Sequence, residues 1–256
     1  MEQCNKIFLP VKIAESKWAE ALLNGQVYMK SMYSFGPWSA TENAKKSNGK
    51  DYDFRHDVLE GLVANVDLAT GDDAFAKALD PKIRTAMRGL WYIDDACQYT
   101  KIYCMYCLTY DLNTNKFEPP DDRLTSMANT AVIIHNPAEF MYRLRGQLVK
   151  DFGRNFIFRA DSVSYYTLAN DYGNHNPIFS KEKHFAWQKE YRIAIDLLDG
   201  NYSVMAGKGL QTLQPQVQDV DPLILEIGDL RDVAVAIPTV DLIKLKLPPE
   251  ICLLSK

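Results

Sequence analysis

Segments with the alternation or apolar content of β-strands outnumber segments with helical spacing in this chain, so the fold is expected to be built around a sheet. The strand-like segments are residues 6–13, 26–33, 101–110, 130–135, 155–166, 185–198, 222–227 and 232–237. In the second of these, Val27, Met29 and Ser31 fall on one face. The pattern predicts an α+β protein rather than a doubly wound parallel sheet.

Helical spacing is limited to a few stretches. Residues 15–23 have apolar side chains at helical intervals and end at an Asn-Gly pair. Asn136 can cap a helix that has Pro137 at its first position and runs to about residue 148. Residues 72–89 also have a helical pattern. These helices are expected to flank the sheet.

Length and composition indicate one globular domain over residues 1–256. Apolar residues make up 47% of the chain, and no stretch has the composition of an interdomain linker. The formal net charge of -4 does not predict bulk affinity for nucleic acid or membrane. No run reaches the roughly 18 apolar residues of a membrane span, and the first residues do not look like a signal peptide. We therefore expect a cytoplasmic protein.

The cysteine count is odd, which argues against a disulfide framework and agrees with a reducing compartment. The five cysteines are Cys4, Cys97, Cys104, Cys107 and Cys252. Cys104 and Cys107 have the spacing of a metal or redox pair, but they fall in an apolar strand and have no second pair to complete a zinc site. We expect them to be core thiols, and we expect no metal site.

Residues 188–197 carry the segment with the clearest chemical pattern. In a strand, Gln188, Glu190 and Arg192 would lie on one face, because side chains alternate. Phe185 and Trp187 precede them and could stack on a flat ring. The simplest interpretation is a surface ion pair between Glu190 and Arg192. The other interpretation is a functional site.

A resemblance favours the functional interpretation. The aromatic-x-x-Gln-x-Glu pattern of Phe185, Gln188 and Glu190 resembles the third signature of ADP-ribosyltransferases. Ser162 and Ser164 resemble the Ser-x-Ser strand of that superfamily. The likeness implies a split, mixed or antiparallel β-sheet core with flanking helices, and NAD as the cofactor. The chain also resembles a group of bacterial and phage proteins that share a Gly-x-x-Tyr-Met opening and a Gln-x-Glu-Tyr-Arg strand.

The resemblance assigns roles to particular residues. Glu190 would stabilise the positive charge that develops on the ribose when the nicotinamide bond breaks, and Gln188 would orient the acceptor. Many family members have an Arg or His on the first strand, whereas residues 6–13 contain neither. Arg55 would therefore bind the pyrophosphate. Further cofactor contacts are expected from Tyr28, Ser31, Tyr33, Ser162 and Phe185.

The expected activity is transfer of ADP-ribose from NAD to a macromolecule, in a bacterial toxin or phage-defence effector that could have a cognate antitoxin. The acceptor could be an RNA or DNA base or a protein side chain. A basic segment interleaved with phenylalanines could bind a single-stranded nucleic acid; its cations are Arg143, Arg145, Lys150, Arg154 and Arg159. The same segment could also be a helix end and a core-facing strand.

Two other functions stay open. Asp57, Glu60 and Glu190 could be acidic ligands of a metal-dependent nuclease, although no acidic-x-Lys strand motif accompanies them. Asp57 and Glu60 could equally be the cap and capping-box partner of a helix, with Arg55 and His56 beside them. The third possibility is a non-catalytic interaction protein with the same fold.

Overall fold

The computed structural model describes residues 5–35, 61–67, 77, 89–93, 95–167, 173–198, 219–248 and 251. Arg55, the acidic residues Asp57 and Glu60, and almost all of the predicted helix at 72–89 lie outside the described residues.

A nine-stranded sheet, antiparallel in its described pairings, forms the centre of the described part of the chain. The strands of this sheet are β1 (Lys6–Ala14), β2 (Gln26–Ser31), β5 (Lys101–Asp111), β6 (Lys116–Phe117), β7 (Thr130–Ile134), β8 (Phe156–Ser162), β12 (Glu190–Leu197), β13 (Leu223–Glu226) and β14 (Ala234–Pro238). The path of the sheet follows the order β13-β2-β5-β1-β7-β14. β6 and β12 also pair with β5, and β8 pairs with β12.

Two smaller sheets accompany the central one. β3 (Leu62–Asp67) pairs with β4 (Gly89–Ile93) and β10 (Gly173–Asn174), and β9 (Ser164–Tyr166) pairs in parallel with β11 (Ser180–Glu182). The predicted α+β class is confirmed, with a mostly antiparallel sheet and few helices among the described residues.

The described helices are α1 (Ser16–Leu23), α2 (Leu124–Met127), α3 (Pro137–Phe152) and α4 (Thr239–Ile243). The predicted cap of α3 is present, because the side chain of Asn136 accepts a hydrogen bond from the backbone N–H of Glu139 at 3.2 Å. The helix continues four residues beyond the predicted end at 148, to Phe152, and Gly153 follows it at a positive φ of 63°. None of the described helices is long and apolar enough to cross a membrane.

Both faces of β12 are covered. Ile193 and Ile195 of β12 pack with α1, α3 and the buried side chains of β2. On the opposite face, Ala194 packs with Met32 and Phe179 in a separate cluster. Because both faces are buried, the polar side chains of β12 are held inside the protein and do not lie on a solvated surface.

β1 and β2 attach to the same edge of β5, and they part from each other along it. β12 pairs with β5 from Lys101 to Tyr106 on one edge. The other edge pairs with β2 at Lys101 and Ile102, and with β1 from Tyr106 to Asp111. Residues 103–105 of β5 lie between these attachments and pair with neither strand in the described sheet. The two strands therefore form a fork, and the fork positions the candidate site.

The structure corrects the prediction for the segment around Gln188. That residue is the last of a 3₁₀ helix, Lys183–Gln188, and β12 begins only at Glu190. Lys189 lies between them with a left-handed backbone, φ 37° and ψ 54°. The predicted strand at 26–33 also ends early, at Ser31, and Tyr33 is in a 3₁₀ helix, Met32–Ser34. The alternation of side chains does not reveal such a turn, because the turn interrupts the strand pairing but leaves the alternating sequence pattern unchanged.

Candidate functional site

The fork between β1 and β2 holds a cleft of about 510 Å³. Side chains reach it from β1, α1, β2, β5, β11, the 3₁₀ helix at 183–188 and β12. The lining side chains with polar or aromatic groups are Lys12, Glu15, Trp18, Gln26, Tyr28, Lys30, Ser34, Phe35, Tyr103, Cys104, Tyr106, Lys181, Gln188, Glu190 and Arg192. The cleft thus joins the segment singled out from sequence to the first two strands.

Glu190 is the buried carboxylate of this cleft, and it is only 5% exposed. Arg192 Nε donates to Glu190 Oε1 at 2.6 Å, and Lys181 Nζ donates to Oε2 at 3.2 Å. The backbone N–H of Glu190 donates to the Tyr165 hydroxyl at 2.8 Å. The predicted ion pair between Glu190 and Arg192 therefore exists, but it is buried and has a second cation. It is not the exposed pair of the simpler interpretation.

The charge state of Glu190 follows from these partners. Burial by itself would raise the pKa of the carboxyl group, but the positive charges of Arg192 and Lys181 outweigh it and hold the pKa well below its usual range. The Cys104 thiol lies beside the carboxylate, and burial together with the negative charge of Glu190 raises the pKa of Cys104 to about 12. The site at neutral pH thus contains an ionised Glu190 and a neutral thiol.

Gln188 lies beside Glu190 and is 6% exposed. Lys181 Nζ donates to its Oε1 at 3.0 Å, so one ammonium contacts both residues of the predicted Gln-x-Glu pair. The left-handed Lys189 separates them, and its carbonyl accepts a hydrogen bond from the backbone N–H of Cys107 at 2.9 Å. The structure brings the two predicted catalytic side chains together by this turn rather than by strand alternation.

Lys12 is a cleft residue that the sequence motifs do not predict. It lies on the first strand, where its Nζ donates to the carbonyl of Cys104 at 2.8 Å and sits 4.2 Å from the centre of the Tyr103 ring. That carbonyl belongs to the part of β5 that pairs with neither β1 nor β2. The family pattern has Arg or His at the first strand, so it does not single out a lysine there.

Aromatic side chains line the opposite side of the cleft. The rings of Trp18 and Tyr28 stack with their centres 5.8 Å apart and their planes 27° apart. Trp18 is half exposed, at 49%. Tyr28 was a predicted cofactor contact, and it lies in the cleft with Gln188 and Glu190.

The other predicted cofactor contacts lie elsewhere or make internal contacts. Ser31 is buried, and its hydroxyl donates to the carbonyl of Val220 at 2.7 Å. Phe185 packs with its ring centre 4.6 Å from Lys181 Nζ. Ser162 is exposed on β8, and Tyr33 is half-buried; neither lines the cleft. Arg55 lies outside the described residues.

The predicted basic segment is partly neutralised by the fold. Arg143 pairs with Glu139 at 2.7 Å and with Asp232 at 2.5 Å, and Arg159 pairs with Asp196. Arg145 lies over the Phe158 ring, 5.2 Å from its centre. Two of the five cations thus serve ion pairs within the protein, which weakens the case for a phosphate-binding strip.

The described residues contain no group of three His, Cys, Asp or Glu side chains that could hold a metal ion. Cys104 and Cys107 are free thiols within β5. Cys107 is buried as predicted, whereas Cys104 is partly buried and lines the cleft. The carboxylate of Glu190, which the nuclease interpretation would use as a metal ligand, is already paired with two cations.

Comparison with known proteins adds no assignment: no family model, curated protein or solved structure matches this chain.

Proposed function

We propose that this protein is an NAD-dependent ADP-ribosyltransferase that modifies a macromolecule. The observation that carries the proposal is the ionised Glu190, which lines the forked cleft with Gln188 beside it. A buried carboxylate held by fixed cations does not reorganise during a reaction, which is the property required of an electrostatic catalyst. The acceptor would be a nucleic-acid base or a protein side chain.

Glu190 suits the chemistry of nicotinamide release. When the bond between nicotinamide and ribose breaks, positive charge develops on the ribose carbon, as in glycoside hydrolysis. A carboxylate that stays ionised at neutral pH can stabilise that charge. Gln188 carries both a donor and an acceptor on its amide, and it can orient the group that attacks the ribose.

The charges of the cleft suit a pyrophosphate. Its lining cations are Lys12, Lys30, Lys181 and Arg192, whereas its lining carboxylates are Glu15 and Glu190. Because Lys181 and Arg192 are bound to Glu190, we assign the pyrophosphate to Lys12 and Lys30. Lys12 would then bind the pyrophosphate from the first strand, which is the role predicted for Arg55. The stacked Trp18 and Tyr28 offer a flat apolar surface for a ring.

A non-catalytic interaction protein is the competing proposal, and one observation favours it. Both carboxylate oxygens of Glu190 accept hydrogen bonds from internal cations, and a buried pair of this kind can also serve only the fold. The two proposals differ in what the cleft binds. Only the first requires NAD.

The first test is binding and cleavage of NAD by the purified protein. We expect calorimetry to detect binding of NAD to the protein. We also expect the protein to release nicotinamide from NAD without a divalent metal. Glu190→Gln should lower the release rate roughly 10²–10³-fold, the usual loss when a fixed electrostatic group is removed. Glu182→Gln is the control, because Glu182 is on β11 but pairs with His184 outside the cleft lining.

Three results would contradict the proposal. Wild-type protein that does not bind NAD would exclude the class of enzyme. Equal release by wild type and Glu190→Gln would exclude Glu190 as the catalytic carboxylate. Cleavage of RNA or DNA that needs Mg²⁺ or Mn²⁺ and proceeds without NAD would support the nuclease instead.

A further inference from the structure

Lys181 is a buried lysine whose ammonium contacts both proposed catalytic residues. It is 4% exposed and lies on β11, which pairs with β9 outside the central sheet. Its Nζ donates to Gln188 Oε1 at 3.0 Å and to Glu190 Oε2 at 3.2 Å. The Phe185 ring covers the same ammonium, with its centre 4.6 Å away.

Such a position carries a cost in stability. An ammonium taken out of water loses hydration, and the loss is offset only where the group finds good hydrogen-bond acceptors. The acceptors of Lys181 include an amide oxygen and a carboxylate oxygen that both belong to the cleft lining. Arg192 already supplies a cation to Glu190, so the charge of Glu190 alone does not account for Lys181.

The contact with Gln188 has a directional consequence. A lysine ammonium has three donors and no acceptor, whereas a glutamine amide has an oxygen that accepts and a nitrogen that donates. Lys181 can therefore bind only the oxygen, and this contact fixes which end of the amide faces β11.

We propose that Lys181 is the positioning residue of this site, which orients the amide of Gln188 and holds Glu190 in place for the reaction. The role of Lys181 in the reaction rests on the proposed function, but the positioning itself can be tested without NAD. Lys181 acts through Gln188 and Glu190, so it is not itself a catalytic residue.

The carboxyl group of Glu190 reports on this positioning. The charged or titratable groups that face it from the surrounding elements are Arg192 on β12, Lys181 on β11, Cys104 on β5 and Tyr165 on β9. Replacing Lys181 by an apolar residue removes one of its two cations. Since the pKa of Glu190 is held low by those cations, it should rise, by about one unit or more for the loss of an opposite charge at this distance.

The first experiment is an NMR titration of the Glu190 side-chain carboxyl carbon in wild type, Lys181→Met and Lys181→Arg. Lys181→Met is expected to move the titration to higher pH and to shift the Gln188 side-chain NH₂ signals, while Lys181→Arg keeps the carboxyl titration near wild type. Lys30→Met is the matched control, because Lys30 lines the cleft and has no contact with Glu190 in the described hydrogen bonds. It should change neither signal.

If Lys181→Met does not fold, the positioning role of Lys181 can be tested on the wild-type protein. A buried ammonium with fixed acceptors exchanges its protons slowly with water. The Lys181 NH₃⁺ signal should therefore be visible by ¹⁵N NMR at neutral pH, and it should show a nuclear Overhauser effect to Gln188. A freely exchanging Lys181 ammonium, or a Glu190 titration that does not move in a folded Lys181→Met protein, would overturn the inference.

The second experiment measures nicotinamide release from NAD. Lys181→Met should lower kcat at least about tenfold with KM nearly unchanged, as expected when an interaction specific to the transition state is lost. The acidic side of the pH profile of kcat should move to higher pH, because the pKa of Glu190 rises. Lys181→Arg should recover part of kcat. Lys30→Met should instead raise KM. Unchanged kcat in folded Lys181→Met would overturn the inference. No release by wild type, with the NMR shifts present, would overturn the proposed function alone.

Discussion

Two acidic residues on the same face of β12, Glu190 and Asp196, are equally buried but have different surroundings. Glu190 is 5% exposed and Asp196 is 2% exposed. Asp196 accepts a hydrogen bond from Thr100 Oγ1 at 2.6 Å and forms an ion pair with Arg159. It does not line the cleft, whereas Glu190 does. Burial and pairing therefore do not by themselves identify a functional carboxylate, and access to a cavity separates the two.

The partners of the two carboxylates also differ. Arg192 is 1% exposed, and its Nη1 donates to the carbonyl of Ile178 at 2.5 Å in addition to its contacts with Glu190. The side chain of Arg159 is 39% exposed. One end of β12 thus has a charge cluster shielded from water, and the other has a pair that reaches the surface. This difference should be measurable in stability as well as in activity.

The largest expected effect on stability comes from breaking the buried cluster. Arg192→Met leaves Glu190 with one cation and leaves the carbonyl of Ile178 without its donor. Removing one partner of a buried ion pair typically costs about 3–5 kcal/mol, because the remaining charge stays inside the protein. Chemical denaturation should show this loss. A loss no greater than that of Arg159→Met would show that the cluster is not shielded as described.

A smaller effect is expected when pH changes the same cluster. The pKa of Glu190 is lowered on folding, so its ionisation stabilises the folded protein above its unfolded pKa. That contribution is lost as pH falls below the ordinary glutamate range and through the lowered folded value. The free energy of unfolding of Glu190→Gln should therefore depend less on pH in that acidic range than wild type does.

The control for this titration is Asp196→Asn, which should keep the wild-type acid dependence that arises from Glu190. If Glu190→Gln and wild type have parallel stability curves between neutral pH and the acid transition, the carboxylate does not have the lowered pKa that its two cations imply.

The sequence predicted the parts of this region that depend on local pattern. Alternation correctly placed Ile193 and Ile195 in the core and put Arg192 with Glu190 on the other face. The Asn136 cap of α3 was predicted for the same reason, since a cap depends on neighbouring residues. The α+β class followed from counting such segments.

The rest depends on contacts between distant segments. Lys181 reaches Glu190 from β11, and β11 is positioned by its pairing with β9, which no local pattern encodes. The fork exists because β1 and β2 pair with separate parts of one edge of β5. The left-handed Lys189 was also missed, because Gly, Asn and Asp are the usual signals of that conformation and lysine is not.

The smallest expected effect is that of Arg159→Met, at the surface end of the comparison. The partly exposed guanidinium is screened by water, so its pair with Asp196 should contribute about 1 kcal/mol or less. Thr100 continues to donate to Asp196 in the variant. Denaturation should therefore show a small loss, and nicotinamide release should equal that of wild type. A tenfold fall in release would mean that this end of β12 also serves the reaction, and the distinction between the two carboxylates would fail.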